Sequence, residues 1–302
     1  MKKNIIFHLI MTNQCNKRCD YCDLNFDNNV FSYTDLDNFI EFINKNYNDF
    51  NEIRVNFFWG EPLLEFQRIE HVLHSIKAKN IFYSLVTNGI LLTENKYLFL
   101  KKFNTEINYS IDTETYSSIF KHTYIDFQDK NFVVNFIMNP KTIHQSSKIF
   151  LMLEQLQIKN INILPVYITI WWEKSSLLDL NIFIEQIKNK THINLQGLSY
   201  YEKPTSDIEY IIENNWKIYT DVHTHLWFIK QYDIISHTLK NTIEMISYLW
   251  NIKSIVDIIN ESDKISIKIK DIYRLSLQIP KYQNCETEFK IINKILFKLN
   301  DK

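Results

Sequence analysis

Apolar positions in the first two-thirds of this chain follow two alternating patterns. Strand-like stretches stand at 4–11 (NIIFHLIM), 53–59 (IRVNFFW), 81–86 (IFYSLV), 106–111 (EINYSI), 132–138 (FVVNFIM) and 161–167 (INILPVY). Between them, apolar residues recur at helical spacing: Leu36, Phe39, Ile40 and Ile43, then Phe66, Ile69, Leu73 and Ile76, and later Ile149, Met152, Leu153 and Leu156. The continuous apolar run at 4–11 suits a buried parallel strand, and stripes at i, i+3 and i+4 suit helices packed along one side. Thr34 and Asp37 resemble a capping box and predict the start of the first helix. Further helices are expected at 94–103, more weakly after Thr113, and near 177–189.

Strands that alternate with helices imply a parallel sheet with right-handed crossovers. Six such units form either an open sheet or a partial barrel. Both place the ligand site at the C-terminal ends of the strands. The first strand is followed by a loop carrying Cys15, Cys19 and Cys22, the second by WGEP (59–62), and the third by TNG (87–89); the fourth ends in SID (110–112). Polar and turn-forming residues thus gather at one edge of the sheet.

Composition narrows the function classes. The chain has 302 residues, 45% of them hydrophobic, and a formal net charge of −1. It can build a substantial core, and nothing in its charge points to nucleic acid or an anionic membrane. The opening MKKNIIFHLIMTNQC imitates a lipoprotein signal, but its apolar run is short, is broken by His8, and lacks small residues before Cys15. A soluble cytoplasmic protein with reduced thiols is the expectation. Clustered cysteines then suggest metal or redox chemistry.

The chain has four cysteines, and Cys285 stands far from the other three. The run from Cys15 to Cys22 resembles the C-x3-C-x-aromatic-C motif of the radical SAM superfamily, with Tyr21 as the aromatic residue. FWGEPLL (58–64) is similar to its glycine–glutamate–proline motif, with Trp59 where many members have a first glycine. TNG and YSID match its patterns on strands three and four. The resemblance covers roughly the first 190 residues and implies an α/β fold, a partial (βα)6 barrel of the radical SAM type with a C-terminal α/β extension.

It also implies the chemistry. Cys15, Cys19 and Cys22 would hold a [4Fe–4S] cluster whose fourth iron is left to S-adenosylmethionine. Reductive cleavage then yields a 5′-deoxyadenosyl radical that abstracts hydrogen from a substrate. Gly60 and Glu61 would meet the methionine amino group, in a turn stiffened by Pro62. Ser110 and Asp112 would meet the ribose or carboxylate, with Asn88 and Asn135 as further candidates. Tyr21, Asp23, Leu164 and Pro165 would frame the adenine. The implied partners are a peptide or protein substrate and an external electron donor such as flavodoxin or ferredoxin.

Other readings stay open at this point. A glycyl-radical-enzyme activase is the enzyme alternative. A zinc-stabilised binding module, completed by Cys285 or a histidine, is the alternative of another class. Glu61 read alone is a surface carboxylate, TNG an ordinary turn, and Asp112 before Thr113 a helix cap. His223, His225 and His237 read as structural or surface residues, and Trp171 and Trp172 as core and rim.

A radical SAM core is expected over 1–190 and a substrate-binding extension over 191–302. The extension has a boundary loop at 200–207, a helical region near 240–260, an alternating strand at 265–270 and a terminal helix striped by Phe289, Ile292, Leu296 and Leu299. With only Cys285 available, the extension cannot build an auxiliary iron–sulfur cluster of the SPASM or twitch type, and Cys285 reads as a small buried hydrophobe.

Overall fold

Strand and helix periods along the chain become nine strands and five helices among the described residues. The computed structural model describes residues 3–19, 22, 26, 28, 30–165, 182–183, 194–196, 208–213 and 217–219. In chain order these form β1 (Lys3–Ile10), α1 (Tyr33–Asn46), β2 (Phe50–Phe58), α2 (Phe66–Ser75), β3 (Ile81–Thr87), α3 (Glu94–Lys102), β4 (Glu106–Ile111), β5 (Phe132–Met138), α4 (Pro140–His144), α5 (Ser146–Gln155), β6 (Asn160–Pro165), β7 (Asn194–Gln196), β8 (Ile208–Glu213) and β9 (Lys217–Tyr219). All six expected strands form. The stretch after Thr113 is a 3₁₀ helix, Tyr116–Lys121. Of the helix expected near 177–189, only the helical residues Ile182 and Phe183 are described. The features expected at 200–207, 240–260, 265–270 and 289–299, and the residues His223, His225, His237, Trp171, Trp172 and Cys285, lie outside the described residues.

The chain divides into two compact units. One comprises residues 1–18, 22–82 and 205–280, the other 19–21, 83–204 and 281–302.

In the first unit, β1 pairs in parallel with both β2 and β8, and β8 pairs antiparallel with β9. One face of β1 and β2 carries Ile5, Phe7, Leu9, Ile53, Val55 and Phe57, each no more than 1% exposed. Leu36, Phe39 and Ile43 of α1 and Ile69, Val72 and Leu73 of α2 are buried as well. Phe7 meets Phe39 edge-on, with ring centroids 5.3 Å apart. Each such side chain contributes about 1.5–3 kcal/mol by leaving water. The helix stripe was legible, but its start was not. The cap is Ser32, whose hydroxyl accepts from the Asp35 amide at 3.1 Å, two residues before the expected Thr34.

In the second unit, β3, β4, β5, β6 and β7 pair in that order, all in parallel. One face is apolar. Ile107, Tyr109, Ile111, Val134, Phe136, Ile161 and Ile163 are buried there, and Phe136 packs against Phe150 of α5 and against Phe183. Strand residues between them alternate to the opposite face, which carries Asn108, Ser110, Asn135 and Asn162.

Candidate functional site

The loop after β1 is closed at its base. Thr12 bridges antiparallel to Val30, and the Phe31 amide donates to the Met11 carbonyl at 2.9 Å. Two side chains bind loop residues to each other. Gln14 donates from Nε2 to Asn28 Oδ1 at 2.9 Å, and Arg18 donates to the Cys15 carbonyl at 2.6 Å and the Lys17 carbonyl at 2.8 Å. The Arg18 guanidinium lies 3.9 Å over the centroid of the Phe26 ring. Backbone carbonyls and an aromatic face thus take up the charge of the one arginine in the motif.

Cys15, Cys19 and Cys22 are reduced thiols, each half-buried. The Lys17 amide donates to Cys15 Sγ at 3.4 Å, a contact that suits a thiolate as well as a thiol. Among the described residues, no group of three or more His, Cys, Asp or Glu side chains is drawn together closely enough to hold a metal ion. Tyr21 and Asp23, expected near the adenine, lie outside the described residues.

The turn after β2 is strained in a specific way. Trp59 has φ of 73° and Gly60 has φ of 57°. Two consecutive left-handed residues reverse the chain within WGEP. For a tryptophan that conformation costs about 1–2 kcal/mol, so the position departs from glycine at a real conformational penalty. At Gly60 no other residue fits: a Cβ there would stand 2.4 Å from both the Gln14 and Thr12 carbonyl oxygens. The Glu61 amide donates to the Gln14 carbonyl at 2.8 Å. The glycine–glutamate turn is therefore bonded directly to the residue before Cys15.

Glu61 is 1% exposed, which rules out the surface-carboxylate reading. Its Oε1 accepts from the Leu63 amide at 3.1 Å, and Pro62 opens the 3₁₀ turn Pro62–Glu65. Proline fits there because its missing N–H falls where a helix start has no acceptor for it.

In the second unit, Asn88 accepts on Oδ1 from the Ile90 amide at 3.0 Å, and Thr87 accepts on Oγ1 from the Gly89 amide at 3.0 Å. These are local turn bonds, as the bland reading of TNG requires. Asp112 ties down the turn that leads into the 3₁₀ helix, whose N-cap is Thr115 rather than Asp112. Its Oδ1 accepts from the amides of Glu114 and Thr115, both at 2.9 Å, and from the Thr115 hydroxyl at 2.8 Å. Its Oδ2 lies 4.0 Å from Cys19 Sγ. The carboxylate therefore closes the turn with one oxygen and lies near a motif cysteine with the other. Ser110 is half-buried beside Asn135 in register, Leu164 is half-buried near the end of β6, and Pro165 ends that strand. Asn135 is 3% exposed and accepts on Oδ1 from Asn162 Nδ2 at 3.0 Å.

Sequence reading missed several of these contributors. Thr12 and Gln14 act through their backbone carbonyls, which no side-chain pattern reveals. Asn108 and Asn162 join Asn135, and part of the signal was present: polar residues at every second position of EINYSI, and Asn160 and Asn162 two apart at the start of the sixth strand.

The family model described as "Radical SAM superfamily" matches residues 9–170. The chain is 32% identical over 127 residues to the radical SAM cyclopropyl synthase TigE of Paramaledivibacter caminithermalis, a match covering 35% of this chain and 26% of TigE. It is 34% identical over 112 residues to the uncharacterised protein MJ0907 of Methanocaldococcus jannaschii, covering 35% of this chain and 38% of that protein. The chain thus spans well under half the length of these curated relatives.

Among solved structures, anSMEcpe with bound AdoMet superposes with a TM-score of 0.57 at 16% identity, over 72% of this chain and 74% of that one. Streptococcus suis SuiB bound to its precursor peptide SuiA superposes with a TM-score of 0.55 at 13% identity, over 76% of this chain and 61% of that one. The fold is α/β, of the partial-barrel type these enzymes share. Among the described residues, no helix is long and apolar enough to cross a membrane.

Proposed function

The chain belongs to the radical SAM superfamily, and from that premise we propose that Cys15, Cys19 and Cys22 hold a [4Fe–4S] cluster that works on S-adenosylmethionine, with a peptide or protein side chain as substrate. When bound, the cluster supplies one electron, drawn from an external flavodoxin- or ferredoxin-like donor, to cleave the sulfonium C–S bond and start hydrogen abstraction.

The donor set fits. Three reduced thiols lie within eight residues, and thiolate is the ligand such clusters take. Ligands of metal sites are commonly drawn together by the metal itself. The observation that carries the reading is the hydrogen bond from the Glu61 amide to the Gln14 carbonyl, with Gly60 in backbone contact beside it. It joins the cysteine loop to the glycine–glutamate–proline turn, the two motifs that a zinc module has no reason to couple.

The protein's own residues bind, orient and shield. Gly60 lets backbone meet backbone, and Glu61 presents a buried acceptor for an ammonium group. Ser110, Asp112 and Asn135 offer hydrogen bonds to hydroxyl or carboxylate groups. Asn88, Leu164 and Pro165, with Tyr21 and Asp23, complete the proposed binding set. The peptide reading draws support from two structural neighbours, SuiB solved with its precursor peptide and anSMEcpe solved with the Cp18Cys peptide. Residues beyond 190 would form the substrate-binding extension, without an auxiliary cluster.

Anaerobic reconstitution tests the cluster. About four iron and four sulfide per chain are expected. Cys15→Ala, Cys19→Ala and Cys22→Ala should each prevent assembly, and Cys285→Ala should not. Stoichiometric zinc without iron would sink the assignment. On the clustered protein, Glu61→Gln should keep the iron and weaken S-adenosylmethionine binding by about 1.5–3 kcal/mol, roughly 10- to 150-fold. For substrate, a short peptide encoded beside the gene should accelerate 5′-deoxyadenosine release. Acceleration by a large glycyl-radical enzyme instead would point to an activase.

A further inference from the structure

Strands β4, β5 and β6 set three asparagines side by side on one face of the second unit. Asn135 stands in register with Asn162 on one side and Ser110 on the other, and Asn108 lies two residues before Ser110. Asn162 donates from Nδ2 to Asn135 Oδ1 at 3.0 Å and to Asn108 Oδ1 at 3.4 Å. Asn108 in turn donates from Nδ2 to Glu106 Oε1 at 2.9 Å. Asn108 and Asn135 are 7% and 3% exposed.

The direction of this chain is dictated from one end. A carboxylate accepts and does not donate. Asn108 must therefore turn Nδ2 toward Glu106, which leaves its Oδ1 facing Asn162. Asn162 must answer with Nδ2, and the same Nδ2 fixes Asn135 with Oδ1 inward. What Asn135 has left to offer a ligand as a donor is its own Nδ2.

A second observation shows the chain holding against a cost. Asn162 Oδ1 is buried and has no hydrogen-bond partner among the described residues. Turning that amide over to relieve it would set Oδ1 against two carbonyl oxygens. Buried polar atoms left in this way mark places where something else decides the orientation.

We propose that Glu106, Asn108 and Asn162 are positioning residues, a one-way hydrogen-bond chain that makes Asn135 a donor, so that a ligand seated against β5 presents an acceptor oxygen there. The ribose hydroxyl and carboxylate oxygens of S-adenosylmethionine have that chemistry, and the proposal rests on the cofactor reading given above.

Equilibrium binding of S-adenosylmethionine to the reconstituted protein tests it, with iron content and melting temperature measured alongside. Asn135→Asp removes the donor and should weaken binding about 10- to 100-fold. Asn162→Asp removes only the orienting donor, forces Asn135 to turn Nδ2 inward, and should weaken binding to a similar extent at unchanged iron content. Asn108→Asp adds the same charge one strand away and sets two carboxylates face to face. Adding Glu106→Gln to it restores a donor toward position 108, keeps the acceptor facing Asn162, and should rescue binding to within about threefold of wild type.

Normal affinity in Asn162→Asp, with Asn135→Asp impaired, would overturn the chain while leaving the cofactor site intact. Failure of the charge-swapped rescue would overturn it too. Normal affinity in Asn135→Asp, with Glu61→Gln impaired, would remove position 135 from the site and the proposal with it. A fully clustered wild type that binds no S-adenosylmethionine would reject the cofactor reading itself.

Discussion

Two glycine turns, one in each unit, solve the same conformational problem for different ends. Gly60 follows β2 with φ of 57°, and Gly89 follows β3 with φ of 77°. Both are left-handed positions that a side chain resists. What fills the space of the missing Cβ differs. At Gly60 it is backbone, the carbonyl oxygens of Thr12 and Gln14 at 2.4 Å. At Gly89 it is the ring of Tyr109, with Cε2 at 2.0 Å. Tyr109 is fully buried, hydrogen-bonded to Ser118 at 3.0 Å, and stacked edge-on to His122 at 5.6 Å. One glycine lets two loops touch where chemistry is proposed. The other lets a core side chain close under a turn. Motif membership alone cannot separate these roles; the identity of the neighbouring atoms can.

The comparison breaks most sharply at Gly60. In Gly60→Ala the new methyl meets two carbonyl oxygens that belong to the chain leading into the cysteine loop. Backbone cannot swing aside as a side chain tip can, so the loop must move. The expected outcome is near-complete loss of reconstituted iron, with the melting temperature of the metal-free chain lowered far less. A variant that still takes up about four iron per chain would show that the loop tolerates displacement and that the close approach is incidental to the cluster.

Gly89→Ala should do the reverse. Its methyl overlaps a ring packed on several sides, and overpacking of this kind costs about 1–3 kcal/mol, with the left-handed backbone adding roughly another 1 kcal/mol. Unfolding by denaturant should register the loss, while iron per folded chain stays unchanged. Tyr109→Leu, introduced with it, should recover part of the stability by clearing the ring. Loss of iron in Gly89→Ala at full stability would erase the distinction between the two turns.

How legible each turn was follows from the same physics. The order of β1 to β6 could be read because short strand-like stretches, apolar at least at every second position, alternate with helical stripes, patterns set by burial. The helix start could not be placed, because Ser32 and Thr34 are both competent caps and the choice depends on where the chain leaves Phe31, held by the Met11 carbonyl. The three thiols and Glu61 were legible as motif residues. The burial of Glu61, the positive φ of Trp59 and the carbonyls of Thr12 and Gln14 were not, since backbone geometry leaves no mark in residue type. Asp112 shows the limit of choosing between roles. One of its oxygens ties the turn at Glu114 and Thr115, and the other lies near Cys19, a placement that residue type alone does not reveal.

The smallest expected effect sharpens the comparison from the Gly89 side. His122, only 8% exposed, lies against Tyr109 and contacts Tyr124 Oη through Nδ1 at 2.6 Å. Burial lowers its pKa from the ordinary 6.5, and the neighbouring Lys121 lowers it further. The folded ring therefore resists a proton that the unfolded chain accepts. Above about pH 6.5 both states are neutral and the packing is at full strength. As pH falls below about 6.5 the unfolded state binds a proton that the folded ring still refuses, and stability is lost until the folded value is reached and both states are protonated. Denaturation of the metal-free chain should show a decline in stability between about pH 7 and pH 5 that is shallower in His122→Gln, the remainder coming from other histidines and carboxylates. In Gly89→Ala, where Tyr109 is pushed from its place against the ring, the His122 contribution should shrink in the same way. An identical pH slope in wild type and His122→Gln would show that the ring titrates alike folded and unfolded, and that the wall of the Gly89 turn is open to water.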